Sequence, residues 1–111
     1  MASTNKRTLI GGSSISASVT TPSTGIQDVF TEFCGFLKSE NSAGVSIAVK
    51  IQHSPNLVDW FDLVTFTAVA GDTVEKIDVS EIVFPNIRAD VAHTSGSCDL
   101  TVELYHRQTR S

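Results

Sequence analysis

The stretch VSIAVKIQH, residues 45–53, constrains the fold more than any other, because apolar and polar residues alternate along it. Its large apolar positions are Val45, Ile47, Val49 and Ile51. Successive side chains of a β-strand point to opposite faces, so a period of two places these four on one face. The stretch therefore predicts a strand with one buried face and one solvated face, as in an antiparallel sheet.

Turn signals follow this strand and separate further strand patterns. The sequence HSPN, residues 53–56, interrupts the strand because proline lacks the backbone N–H that a sheet needs. The segment DWFDLVTFTAV, residues 59–69, is then the returning strand of a hairpin. Turns are also predicted at residues 41–44, 70–72 and 94–97, which read NSAG, AGD and TSGS.

Two later segments alternate in the same way. Residues 87–92 place Ile87, Ala89 and Val91 on one side. In residues 98–105 the predicted inward positions are Cys98, Leu100, Val102 and Leu104, and the predicted outward positions are Asp99, Thr101, Glu103 and Tyr105. Residues 28–40 fit a helical face as well as a strand, but three phenylalanines, a threonine and a central glycine favour the strand.

Six or seven short strands without a clear helix predict an all-β fold, an antiparallel β-sandwich or a jelly-roll-like barrel. A chain of 111 residues is long enough for one domain of this kind. We expect an extended N-terminal arm at residues 1–26, a β-sandwich domain at residues 27–107 and a short tail at residues 108–111.

The arm, residues 1–26, is rich in serine, threonine and glycine and has few apolar residues. Such a segment buries little by itself and is expected to be mobile in an isolated subunit. Weak alternation around Ile15 and Val19 also suits an arm that becomes ordered by adding a strand to a neighbouring subunit. A plain flexible leader is the alternative.

Charge is distributed unevenly along the chain. Between residues 8 and 106, four basic residues accompany all twelve acidic ones, whereas both ends are basic. An acidic body repels phosphates, so nucleic acid is not an expected partner. No run approaches the ~20 apolar residues that span a bilayer, so a membrane is not expected either. The basic residues at the ends are Lys6, Arg7, Arg107 and Arg110, and they suit an acidic protein surface or simple solvation.

The residues do not form a recognisable reactive group. Neither the three histidines nor the two cysteines, Cys34 and Cys98, occur at metal-ligand spacings, and no cofactor motif is present. Asp59 and Asp62 would lie on opposite faces of a strand, which argues against a catalytic carboxylate pair. We therefore predict no catalytic, cofactor-binding or metal-binding residues, and no enzyme activity. Cys34 and Cys98 are expected to be reduced, with a disulfide between them as the alternative.

The single tryptophan, Trp60, lies just after the predicted hairpin turn. Because a tryptophan buries a large apolar area, we expect it in the core, between the two sheets of the sandwich. An exposed platform for a sugar or a partner is the alternative.

The run from residue 45 to residue 104 resembles small β-sandwich structural proteins of tailed bacteriophages. The resemblance lies in an alternating strand with Gln-x-Ser, a tryptophan followed by aspartate and leucine, a glycine-centred turn, an arginine-containing strand and a Ser-Gly hairpin. In this sequence these parts read VSIAVKIQHS, DWFDL, AGDT and NIRADVAHTSGSCDLTVEL.

This resemblance implies a capsid decoration (cement) protein that binds the outer shell of a virion and bridges capsid subunits. The implied partner is the major capsid protein or another virion protein, with self-association as a dimer or trimer. A head-tail connector or tail protein is the alternative within this class, and a carbohydrate-binding β-sandwich module using Trp60 and Tyr105 is the alternative outside it. The residues expected to bind partners are Lys6, Arg7, Leu9, Ile10, Ile15, Val19, Arg107 and Arg110.

Overall fold

A computed structural model describes residues 4–26, 32–79 and 83–107. These residues form seven strands and no helix. The strands are β1 (Thr4–Ile15), β2 (Val19–Thr20), β3 (Thr24–Gly25), β4 (Glu32–Ser54), β5 (Phe61–Thr65), β6 (Thr73–Val79) and β7 (Asn86–Arg107). All of them pair in antiparallel fashion, which confirms the predicted all-β, antiparallel class.

Two long strands, β4 and β7, form the centre of the fold. They pair from Glu32 with Arg107 to Ser54 with Asn86, which is almost their entire length. The remaining strands add to the outer edges of this pair: β1, β2 and β3 join β7, and β5 and β6 join β4. The β4–β7 pair therefore determines where every other strand can lie.

The predicted turns at residues 41–44 and 94–97 do not reverse the chain. Instead, each lies inside a long strand, and the pairing register shifts where Ala43 faces Ser97. Asn41, Gly44 and Gly96 have φ values of 51°, 59° and 69°, which glycine and asparagine adopt most readily. Because the two irregular segments face each other, both strands bend together, as bulges allow at the corner of a sandwich.

This bend folds the sheet into two layers. The first layer has the order β1, residues 98–107 of β7, residues 32–40 of β4, and β6. The second layer contains β2 and β3, residues 86–93 of β7, residues 47–54 of β4, and β5. A Cβ on Gly35 in the first layer would be 3.0 Å from the Val64 side chain in the second, so the layers pack closely. The arrangement agrees with the predicted sandwich or jelly roll.

The core between the layers follows the predicted alternation. Val45, Ile47, Val49 and Ile51 are all buried, as are Cys98, Leu100, Val102 and Leu104. The hairpin after residue 53 and the turn at residues 70–72 are also confirmed, because β5 pairs back onto β4 and β6 begins at Thr73. Residues 32–40 are a strand, as predicted, whereas residues 28–31 lie outside the described part of the chain.

The described part of the arm, residues 4–26, is extended but is not free. Its three strands pair along β7 of the same chain, and Ile10, Ile15 and Ile26 belong to the core. In the structure these residues are therefore part of the sheet, and their mobility in an isolated subunit stays a prediction. A few apolar residues suffice to hold the arm on the sheet, because its three strands also form main-chain hydrogen bonds with β7. The predicted tail, residues 108–111, lies outside the described residues.

Candidate functional site

Hydrogen bonds and an ion pair at the Glu103 carboxylate link the start of the arm to β7. Glu103 accepts a hydrogen bond from Thr8 Oγ1 at 3.1 Å and one from the Tyr105 hydroxyl, also at 3.1 Å. Lys6 Nζ lies 3.1 Å from the same carboxylate. Glu103 faces outward as predicted, but these neighbours bury it, which the alternation of the sequence does not reveal. We call Lys6, Thr8, Glu103 and Tyr105 the arm clamp.

The arm clamp favours the ionised carboxylate. Burial by itself would raise the pKa of Glu103, but hydrogen bonds from Lys6, Thr8 and Tyr105 outweigh it and leave this pKa below its ordinary value. The hydrogen bond to Glu103 raises the pKa of Lys6, and the same carboxylate raises the pKa of Tyr105. The clamp is therefore a charged link between β1 and β7 at neutral pH.

The structure brings three of the predicted basic residues to one end of the first layer. Lys6 faces Tyr105 across the sheet, Arg7 faces Leu104, and Arg107 faces Thr4. Lys6 is engaged by Glu103, and Arg107 Nε donates to Glu32 Oε1 at 2.6 Å. Burial, followed by the charge of Arg7, lowers the pKa of the buried His106. Arg110 lies outside the described residues.

The predicted apolar partner residues are largely used inside the chain. Ile10 and Ile15 are 6% and 7% exposed, and Leu9 packs against the core from its edge. Val19 is 38% exposed and lies on β2 in the second layer. Of the predicted apolar residues, Val19 is therefore the most accessible to a partner.

A second surface, which the sequence analysis did not single out, lies at the β4–β5 hairpin. Residues 55–61, here called the tip loop, include Leu57, Val58 and Phe61, with exposures of 55%, 77% and 51%. Only two other large apolar residues in the described ranges, Val19 and Val74, are exposed. A sequence signal was present, because NLVDWF places four large apolar residues directly after a proline-containing turn.

Hydrogen bonds hold the tip loop in one conformation. Ser54 Oγ accepts from the backbone N–H groups of Asn56 and Leu57 at 3.2 and 2.8 Å. Asn56 Oδ1 accepts from the N–H groups of Val58 and Asp59 at 2.9 and 2.8 Å. The Asn56 amide nitrogen also donates to the Asp59 carboxylate at 2.8 Å. These short side chains replace the missing main-chain partners of the loop.

Trp60 is not the core residue that the sequence analysis expected. It is half-buried, and the Arg88 guanidinium lies 4.1 Å from the centroid of its ring. The side chains that fill the core beside β5 are Leu63, Val64 and Phe66. Because Trp60 precedes β5, it sits at the rim of the second layer, where its ring stacks on a cation from β7.

The described residues contain no group of three or more metal-ligating side chains. Cys34 and Cys98 are both free, and burial raises the pKa of Cys34. His53 is a structural residue, since its Nδ1 accepts the backbone N–H of Phe84 at 3.0 Å. Within the described ranges, no helix is long and apolar enough to cross a membrane.

Comparison with known proteins links the chain to others through its fold. No family model matches the sequence, and no curated protein matches it. Among solved structures, a VP2 mutant of infectious bursal disease virus in derived T=1 particles matches with a TM-score of 0.60 and 14% identity. The structure of the Gx strain of the same virus matches with a TM-score of 0.57 and 12% identity.

These two matches cover 96% and 97% of this chain, but only 32% and 33% of the viral chains. The chain therefore spans about a third of the length of its structural neighbours. At this level of identity the likeness establishes a shared fold. Nearly all of this chain therefore shares its fold with one part of each viral chain.

Proposed function

We propose that this chain is a non-enzymatic structural protein of a virus particle, and specifically a capsid decoration protein of a tailed bacteriophage. In this role it binds the outer surface of the shell and bridges neighbouring copies of the major capsid protein. It acts as a folded block with several contact surfaces.

The observation that carries this proposal is the match of nearly the whole chain to a viral protein from T=1 particles. A fold shared over 96% of the chain means that the likeness is not confined to one hairpin. Fold alone does not determine function. The sequence resemblance to phage β-sandwich proteins supports the same class independently of the structural match.

The distribution of polar groups also supports a structural role. Glu103, Asn56 and Ser54 are all occupied by hydrogen bonds that fix strands or loops. Charged pairs such as Lys50 with Asp62 join neighbouring strands on the surface. These groups stabilise a shape rather than surround a substrate.

Binding to a repeating shell lets several weak contacts act together, which raises the overall affinity. When each subunit of a dimer or trimer touches a repeating lattice, the second contact forms at a high effective concentration. β1 is suited to such a contact, because it lies at an edge of the first layer. An edge strand can accept a further strand from a neighbouring chain.

Cosedimentation with empty shells from the virus that encodes the chain tests the proposal. Wild-type protein should migrate with the shells through a sucrose gradient, and cryo-electron microscopy should show added density on the outer surface. Density at the neck or tail would support a connector or tail protein instead. Protein that stays at the top of the gradient would contradict a virion role.

Deletion of residues 1–20 is not a suitable variant for this test. The deletion would remove β1 and expose the core around Ile10 and Ile15, so lost binding and lost folding would be confounded. The carbohydrate alternative gains no support, because Arg88 covers one face of Trp60, and Tyr105 lies in the other layer, hydrogen-bonded to Glu103.

A further inference from the structure

The tip loop concentrates exposed apolar surface, most of which makes no contact within the fold. Leu57, Val58 and Phe61 lie within five residues and each exposes more than half of its surface. Elsewhere in the described ranges, Val19 and Val74 are isolated exposed residues. Scattered apolar residues need no explanation, whereas apolar residues that cluster on one hairpin are a candidate interaction surface.

The conformation of the tip loop includes one energetically unfavourable backbone angle. Leu57 has a φ of 68°, which is unfavourable for residues other than glycine, asparagine and aspartate. The backbone N–H groups of Leu57 and Val58 donate to Ser54 Oγ and Asn56 Oδ1, which fixes the backbone in this shape. Side chains displayed on a fixed loop lose little conformational freedom on binding, so this rigidity favours recognition.

An aromatic base supports the loop from the side of the fold. The Phe61 ring lies 6.0 Å from the Phe84 ring and 6.4 Å from the His53 ring, and His53 and Phe84 are 4.9 Å apart. Arg88 stacks on Trp60, the residue before Phe61. Tryptophan and arginine are enriched among the residues that dominate protein–protein binding energies.

Charge and size together indicate the kind of partner. Asp59 is exposed between Val58 and Trp60, so the loop carries an anion beside its apolar side chains. An anion disfavours insertion into the negatively charged surface of a membrane. The three apolar residues expose a few hundred Å² at most, which is far below the ~800 Å² per partner of a stable interface. They therefore suit an anchor in a pocket better than a flat dimer contact.

We propose that the tip loop anchors the chain by inserting Leu57 and Val58 into an apolar pocket with a basic rim on a neighbouring virion protein. Asp59 pairs with the cationic rim, and Phe61 seals the edge of the pocket. This inference rests on the proposed function, since the partner is a protein of the particle.

The test is a titration of cosedimentation with the same empty shells, using the full chain. The double variant Leu57→Asn/Val58→Ser removes the apolar anchors, and Asn tolerates the φ of 68°. Burial of two aliphatic side chains predicts that affinity falls about 100-fold. The matched control is Val74→Ser, which removes a 61% exposed valine from β6 and should leave affinity unchanged.

A second variant examines the basic rim. Asp59→Asn keeps an acceptor for the Asn56 amide but removes the charge. We expect affinity to fall several-fold at low salt and to depend less on salt than in the wild type. The thermal unfolding midpoint of each variant should not fall below that of the wild type, and Leu57→Asn should raise it because asparagine tolerates the positive φ. A midpoint at or above the wild-type value shows that lost binding is not lost folding.

Other outcomes overturn the inference in distinguishable ways. If the wild type binds shells and the double variant binds equally well, the tip loop is not the anchor, while the proposed function stands. If the wild type does not bind, both proposals fail. Tip-dependent self-association in solution would identify a second copy as the occupant, and tip-dependent flotation with phosphatidylcholine vesicles would identify a membrane.

Discussion

The arm, residues 4–26, and the tip loop, residues 55–61, both carry a few apolar side chains among polar ones, yet the structure places them differently. In the arm, Ile10 and Ile15 point into the core. In the tip loop, Leu57 and Val58 point into solvent. The arm resembles a binding segment in sequence but belongs to the folded sheet, whereas the loop leaves its apolar side chains exposed.

The difference follows from what each segment can pair with. The arm lies along β7 for ten paired positions from Thr4 to Ile15, so the backbone of β7 aligns its side chains with the core. Residues 55–60 of the tip loop lie between β4 and β5 and belong to no strand, so their backbone N–H groups donate to the side chains of Ser54 and Asn56 instead. Pairing, rather than apolar content, decides which residues become core.

The largest loss of stability is expected from a substitution at the bend formed by residues 41–44 and 94–97. This bend sets the position of the two layers, and therefore of both the arm and the tip loop. Gly96 has a φ of 69°, and a Cβ there would overlap the backbone of Ala43 and Gly44. Gly96→Ala should therefore destabilise the fold by more than about 3 kcal/mol, through strain and overpacking. Urea denaturation measures this loss, and Gly71→Ala, where a Cβ meets nothing within 4 Å, is the control. Equal stability of the two variants would show that the corner is flexible.

The second prediction addresses the arm directly. Ile10→Ala removes a buried side chain and should lower the free energy of unfolding by about 2–4 kcal/mol. Val19→Ala, in the exposed part of the arm, should lower it by less than about 1 kcal/mol. Similar small losses for both variants would mean that the arm detaches in solution and acts as the free segment that the sequence suggests.

The third prediction uses pH to test the arm clamp. A carboxyl whose pKa is lowered in the folded state stabilises the fold above its unfolded pKa, and this contribution is lost as pH falls through the folded pKa. The wild type should therefore lose stability as the pH falls below the ordinary glutamate value of 4.5. Glu103→Gln should be less stable by about 1–2 kcal/mol at pH 7 and lose less on acidification. Parallel pH profiles for the two proteins would exclude a charged clamp.

The smallest expected effect lies at the base of the tip loop. Arg88→Ala removes the cation over Trp60 and should cost about 0.5–1 kcal/mol, because the pair is partly solvated. The tryptophan emission should shift to the red and become more accessible to iodide than in the wild type. Lys50→Ala, which removes a surface ion pair on the same layer, is the control and should leave the emission unchanged. An unchanged spectrum for Arg88→Ala would mean that Trp60 is shielded by other groups.

Sequence reasoning succeeded where local pattern and burial coincide. The alternation at residues 45–53 and at residues 98–104 predicted the buried positions correctly, since a strand with one face on the core leaves little choice of side. It failed at residues 41–44 and 94–97, where the glycines indicate a positive φ without revealing whether the chain reverses. Only the register of β4 with β7 shows that the two segments bend together.

The roles of the predicted partner-binding residues also depend on contacts between residues that are distant in the sequence, so local patterns could not assign them. Lys6 is a free basic residue in sequence, and its engagement with Glu103 depends on a partner 97 positions away. Trp60 reads as core because of its size, but its place at the rim depends on where β5 begins and on Arg88 from another strand.

By itself, the sequence determined that this chain is an antiparallel β protein with the apolar faces of its long strands turned inward. These properties depend on the period of two and on turn residues, which act over a few neighbouring positions. The tertiary structure alone decided that the arm belongs to the sandwich and that the tip loop remains exposed. Those outcomes depend on pairing between residues far apart in the chain, where a shift of one residue would exchange the buried and exposed faces.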